Sequence, residues 1–134
     1  ETFFGRRISK YESLQGFILL SRVLCNHVFL PLGLMRLVER EKTVGFGKKY
    51  PEFWLNLRTN MQGTPIDTGF HFCLRAPSEE AVIAFHKAAL ENGGQSAGDP
   101  GDRQAAMTVY FGAFIRDPDG NKIEAVTFPK KGPE

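Results

Sequence analysis

One order of elements, written twice, constrains this chain more than any other feature. From Thr68 the sequence reads as a strand Gly69 to Arg75, a helix opened near Pro77-Ser78 and closed by Gly93-Gly94, a strand around Gln95, and strands Val109 to Arg116 and Lys122 to Thr127. The first half follows the same order: a strand over Arg7 to Leu14, a helix Gly16 to Leu32, then strands Leu34 to Arg40, Thr43 to Gly47 and Phe53 to Arg58. The offset between the halves is roughly 60 residues, a repeat of pattern rather than of identity. Two βαβββ modules, about residues 8–60 and 68–128 with a linker at 61–67, fit one α+β domain over residues 1–134. A single module curls its sheet around one helix and leaves the concave face unfilled. Two must therefore pair, within a chain or between chains, and a cleft between curved mixed sheets is expected.

The second half carries the clearer local signals. Ser78 is placed to cap its helix, Glu79 and Glu80 sit in the first turn where the helix dipole favours carboxylates, and Val82, Phe85, Ala89 and Leu90 form the apolar stripe. Asp117-Pro118-Asp119-Gly120-Asn121 is hairpin chemistry, with Pro118 presetting φ and Gly120 taking the left-handed position. The Gly-, Asp- and Ala-rich stretch from Ala97 to Met107 reads as a loop. In the first helix Phe17, Leu20, Leu24 and Val28 share one face, and Ser21, Arg22, Cys25 and Asn26 lie on the other.

Charge and cysteine content narrow the partners. Seventeen Lys and Arg against fifteen Asp and Glu leave a formal charge of +2, too small for a nucleic-acid footprint or a polybasic membrane patch. The longest apolar stretch is interrupted by Ser21, Arg22, Asn26 and His27, so it is neither a membrane span nor a signal core. Cys25 and Cys73 form no paired motif; both sit among apolar neighbours and read as buried free thiols, which fits a reducing cytoplasm. His86, beside Phe85, reads as a partly exposed packing residue.

Two residues break the apolar strands of the second half. Alternation sets His71 opposite Phe70, Phe72 and Leu74, and Glu124 opposite Ile123 and Ala125, which aims both at the cleft. Alongside them stand Pro31-Leu32-Gly33-Leu34, Gly69-Phe70-His71-Phe72, Ala81-Val82-Ile83-Ala84-Phe85-His86, and the block Tyr110-Phe111-Gly112-Ala113-Phe114-Ile115-Arg116-Asp117-Pro118-Asp119-Gly120-Asn121-Lys122-Ile123-Glu124. With these motifs the chain resembles the glyoxalase/bleomycin-resistance/dioxygenase (vicinal oxygen chelate) superfamily from about Ile8 to Phe128. The resemblance implies a divalent metal held by the first and last strands of each module, chelating two neighbouring oxygens of a substrate.

Slot by slot, the resemblance makes His71 and Glu124 metal ligands and Glu124 the catalytic acid–base group. The matching first-module slots fall on Lys10, after Ser9, and on Asn56 or Trp54. A protonated Lys has no lone pair for a metal, and one His with one carboxylate falls short of the three protein ligands usual for catalytic zinc. The expectation is therefore a site without tightly bound metal, in which Lys10 pairs with Glu124. Lys10, Trp54, Asn56, Tyr110 and Met107 are the candidate substrate-binding residues. The loop where relatives carry an aromatic residue and a His reads Arg103-Gln104-Ala105-Ala106-Met107 here. Two functions stay open: metal-assisted lyase, isomerase or dioxygenase chemistry on a small organic molecule, or metal-free binding and sequestration of one. A homodimer is expected in either case.

Overall fold

A computed structural model describes residues 24–56, 69–105 and 107–129. The expected strand over Arg7 to Leu14, Lys10 within it, the start of the first helix and the linker at 61–67 lie outside the described residues.

Residues 24–29 are helical (α1) and run into a 3-10 turn, Leu30–Leu32, where Pro31 and Gly33 (φ 79°) end the helix. Strands β1 (Met35–Glu39), β2 (Thr43–Gly47) and β3 (Pro51–Asn56) follow as an antiparallel meander in the order β1-β2-β3. The second unit contains β4 (Phe72–Arg75), α2 (Glu79–Glu91), β5 (Gln95–Gln104), β6 (Val109–Arg116) and β7 (Lys122–Thr127). Its sheet has the order β4-β7-β6-β5, with β4 parallel to β7 and the other pairs antiparallel. The fold is thus α+β with one antiparallel and one mixed sheet.

Helix α2 starts where the sequence places it, because the Ser78 hydroxyl accepts the Ala81 N–H at 3.1 Å. Its buried face carries Ala81, Val82, Phe85, His86 and Ala89, packed with Ala113, Ile115, Ile123 and Ala125 of β6 and β7. Leu90, expected in the stripe, is exposed: it falls at the edge of the arc that Val82, Phe85 and Ala89 define. Cys25 is fully buried beside Leu24 and Val28, the buried thiol that its apolar neighbours indicate, although helical spacing sets it on the polar side of the first helix. The same core takes Val44 and Phe46 from the first sheet, and edge-to-face rings run Phe46–Phe29–Phe53–Phe72–Phe70 from one sheet to the other. Full burial of Phe29, Phe46 and Phe85 contributes about 2–3 kcal/mol each.

The stretch expected as a loop is mostly strand. β5 continues through Gln104, paired with Val109, and two register shifts between Ser96 and Gly101 absorb its glycines. It lies at the sheet edge, where Pro100 breaks no ladder on the open side. The β6–β7 turn is built by Asp117, which is almost fully buried. One carboxylate oxygen accepts the N–H groups of Asp119 (2.9 Å) and Asn121 (2.8 Å), the other accepts the Asn121 side-chain amide (2.9 Å), and Gly120 has φ 91°.

Candidate functional site

Strand parity divides the mixed sheet. Ala113, Ile115, Ile123 and Ala125 face α2, so the alternate residues face away from the helix: His71, Cys73 and Arg75 at β4, Lys122, Glu124 and Val126 on β7, and Tyr110, Phe114 and Arg116 on β6. Registers Cys73↔Glu124 and Phe114↔Glu124 put Glu124 between two strands, only 5% exposed.

Glu124 is where the polar groups of this face converge. The Cys73 thiol donates to its Oε1 at 3.4 Å, and His71 Nε2 stands 3.6 Å from Oε2, beyond a direct hydrogen bond but within ion-pair range when protonated. The His71 ring meets Phe114 edge to face at 5.3 Å. Burial, followed by the hydrogen bond and the charge of Glu124, pushes the Cys73 thiol up to about 11. At neutral pH it is a donor rather than a nucleophile. Burial and then the same carboxylate also push Tyr110 above the usual phenol value. Cys73 is exposed rather than buried as its neighbours in sequence suggest, because pairing with Glu124 turns it away from the helix.

Cations stack on the rings of this face. Arg103 and Lys122 lie 5.1 and 4.8 Å from the centroid of Phe114, and Arg75 lies 4.4 Å from that of Phe128, which leans on Tyr110 at 5.8 Å. The sequence alone assigns no role to Arg103, Lys122 or Phe114. The signal was available for two of them, since Phe114, Lys122 and Glu124 share one parity across the hairpin; Arg103 was hidden by reading its strand as a loop.

The expected site residues divide into two groups. His71, Glu124 and Tyr110 share the face of the mixed sheet turned away from α2. Trp54 (42% exposed) and Asn56 lie on the first sheet, on the side of β3 opposite Phe53 and Leu55, with Asn56 accepting the Thr43 hydroxyl at 3.0 Å. Met107 is 97% exposed in the β5–β6 turn. Among the described residues no hydrogen bond, ion pair or ring contact joins these three to Glu124. Lys10 lies outside the described residues. His86 is buried rather than partly exposed, because its Nε2 reaches the Ser96 hydroxyl at 2.8 Å and ties α2 to β5.

His71 and Glu124 are two ligand types side by side, and among the described residues no three His, Cys, Asp or Glu gather as a metal set. A separate open cavity of about 490 Å³ lies at the start of α2, framed by Ser78, Glu79, Asp102, Phe111 and Phe128; it touches Tyr110 but neither His71 nor Glu124. Among the described residues no helix is long and apolar enough to cross a membrane.

Comparison with known proteins agrees with this architecture. The chain is 28% identical to a glyoxalase/bleomycin resistance protein from Albidiferax ferrireducens T118, with a TM-score of 0.72 over 86% of this chain and 90% of that one. A glyoxalase/bleomycin resistance protein/dioxygenase family enzyme from Burkholderia phytofirmans PsJN shares the fold at 13% identity and a TM-score of 0.59, covering 84% of this chain and 91% of that one. The V278E mutant of glyoxalase I from Zea mays shares it at 19% identity and 0.58, covering 81% of this chain and 41% of that one. No curated protein matches. The sequence pattern of the Glyoxalase/Bleomycin resistance protein/Dioxygenase superfamily matches residues 11–125, and the chain belongs to that superfamily.

Proposed function

We propose that this protein binds a small organic molecule on the face of the mixed sheet turned away from α2, with Glu124 as the polar anchor and without a resident metal. The observation that carries the reading is a carboxylate 5% exposed at the centre of a sheet face, flanked by His71, Cys73 and the Phe114 ring. A buried carboxylate in an apolar strand costs stability unless it is matched, and among the described residues Glu124 meets only a thiol and an imidazole beyond hydrogen-bond reach, which supports a donor that arrives with a ligand. His71, about a third exposed, closes one side of the anchor and can pass a proton to or from it. The Cys73 thiol fixes the carboxylate's orientation. Membership of a superfamily that binds small molecules supports the same reading, and so does the finding that among the described residues only His71 and Glu124 stand together as conventional metal ligands.

Two measurements test this. Elemental analysis of the purified protein is expected to find well under one equivalent of transition metal per chain; a full equivalent that is lost in Glu124→Gln would overturn the metal-free reading. Calorimetric titration with neutral phenols, which offer a single O–H donor, is expected to show binding that Glu124→Gln weakens by about tenfold, the worth of one charge-assisted hydrogen bond. Equal affinity in the two proteins would remove Glu124 as the anchor.

A further inference from the structure

Phe114 holds two cations. Arg103 and Lys122 stand 5.1 and 4.8 Å from its centroid, which places the two charges within about 10 Å of each other, inside one Debye length at ordinary ionic strength. Among the described residues neither has an ion-pair partner. Like charges so close repel, and the ring quadrupole offsets only part of that cost.

The Arg103 side chain is positioned rather than merely solvated. It reaches back along β5 across Gly98, where an added Cβ would come within 3.0 Å of Arg103 Nη2 and 3.1 Å of the Phe114 ring. Its Nη2 donates to the Asp99 carbonyl oxygen at 2.7 Å, and its buried Nε has no hydrogen-bond partner among the described residues. Of five guanidinium donors, one is satisfied there. A cation laid over a glycine, fixed by a backbone carbonyl and left with unused donors is built to receive an acceptor. Lys122 adds a second positive charge, two residues from Glu124 on the same side of β7.

We propose that this face takes a small organic acid, with its oxyanion held by Arg103 and Lys122 and its neutral donor, a hydroxyl or N–H, held by the Glu124 carboxylate. This rests on the binding reading above and adds the chemical class of the ligand. The near-neutral chain as a whole gives little long-range steering, so selectivity for an anion comes from this local pair. Acids without a donor group would lose the Glu124 contact, and phenols without an acid would lose the cation contact.

The test uses three probes of one shape, 4-hydroxybenzoate, 4-hydroxybenzamide and 4-hydroxybenzylamine, titrated calorimetrically into wild type, Arg103→Gln, Lys122→Gln and Glu124→Gln, with backbone amide shifts locating each site. The acid is expected to bind at least about tenfold more tightly than the amide, and the amine least. Arg103→Gln and Lys122→Gln should each bring the acid close to the amide's affinity and leave the amide unchanged. If acid and amide bind alike, with both weakened by Glu124→Gln, the anion inference is overturned while the binding reading stands. If no probe shifts the amides of residues 71, 114 and 124, both fail.

Discussion

Replacing Glu124 by Leu separates a carboxylate kept for a ligand from one kept for the fold. The side chain is 5% exposed, and its described partners are an imidazole about a third exposed at 3.6 Å and a thiol at 3.4 Å. Taking a carboxylate out of water costs several kcal/mol, whereas an attraction to a partner open to solvent is screened and returns only part of that. A neutral thiol donor adds little. Leu is close to Glu in size, with one side-chain heavy atom fewer, and Val126 on the same face is itself buried. Exchanges of buried ion pairs for apolar side chains stabilise by about 1–4 kcal/mol, and the exposure of His71 puts Glu124→Leu at the low end, about 1 kcal/mol more stable than wild type. With a urea dependence of about 2 kcal/mol/M, the denaturation midpoint should rise by about 0.5 M, and Tm by about 3 °C. Binding of the phenolic probes should disappear in the same variant. A loss of about 2 kcal/mol or more in Glu124→Leu, with Glu124→Gln near wild type, would show that the carboxylate holds the sheet together and would refute the functional reading.

Other positions give independent checks. Gly47→Ala would place a Cβ against the Tyr50 carbonyl oxygen and within 2.7 Å of its carbon, backbone that cannot swing aside, so urea denaturation should show a loss of about 3 kcal/mol. Asp117→Ala strips the acceptor from two backbone N–H groups and one amide and should cost about 2–3 kcal/mol, whereas Asp117→Asn, which keeps an acceptor oxygen, should cost less than about 1 kcal/mol. Burial raises Asp117 above the usual carboxylate value, so the proton-linked part of its contribution is full below pH 3.8 and is lost as pH rises through the raised value, while the turn hydrogen bonds persist; stability of Asp117→Asn should be flatter over that acidic window. Cys73, held near 11, should alkylate with iodoacetamide at pH 8 far more slowly than the unfolded chain does, and faster once Glu124→Leu removes the charge and the hydrogen bond. The same raised value means that the thiol's contribution to stability is present below about pH 9 and is lost as pH climbs through about 11.

The elements that could be read from residues alone are those set by local chemistry. Ser78 caps α2 because its hydroxyl has an unpaired N–H three residues on, and Asp117 to Asn121 close a hairpin because a carboxylate, a proline and a left-handed glycine leave few other options. Only the start of β5, around Gln95, was legible, since the glycines and Pro100 beyond it carry no period and only an edge position with two bulges lets them pair. The same blind spot hid Arg103. Glu124 and His71 were legible as polar breaks in apolar strands, but the neighbours that give them chemistry come from tertiary pairing: Cys73 reaches Glu124 through a parallel register between strands about fifty residues apart, which no spacing rule reports.

The most direct test of the account is a map of backbone amide shifts on adding a phenolic organic acid to wild type and to Glu124→Leu. The account predicts saturable shifts in wild type centred on residues 71, 73, 114 and 124, and none in the equally folded Glu124→Leu. Shifts centred instead on the cavity at the start of α2, around Ser78 and Phe111, or shifts that persist in Glu124→Leu, would contradict it.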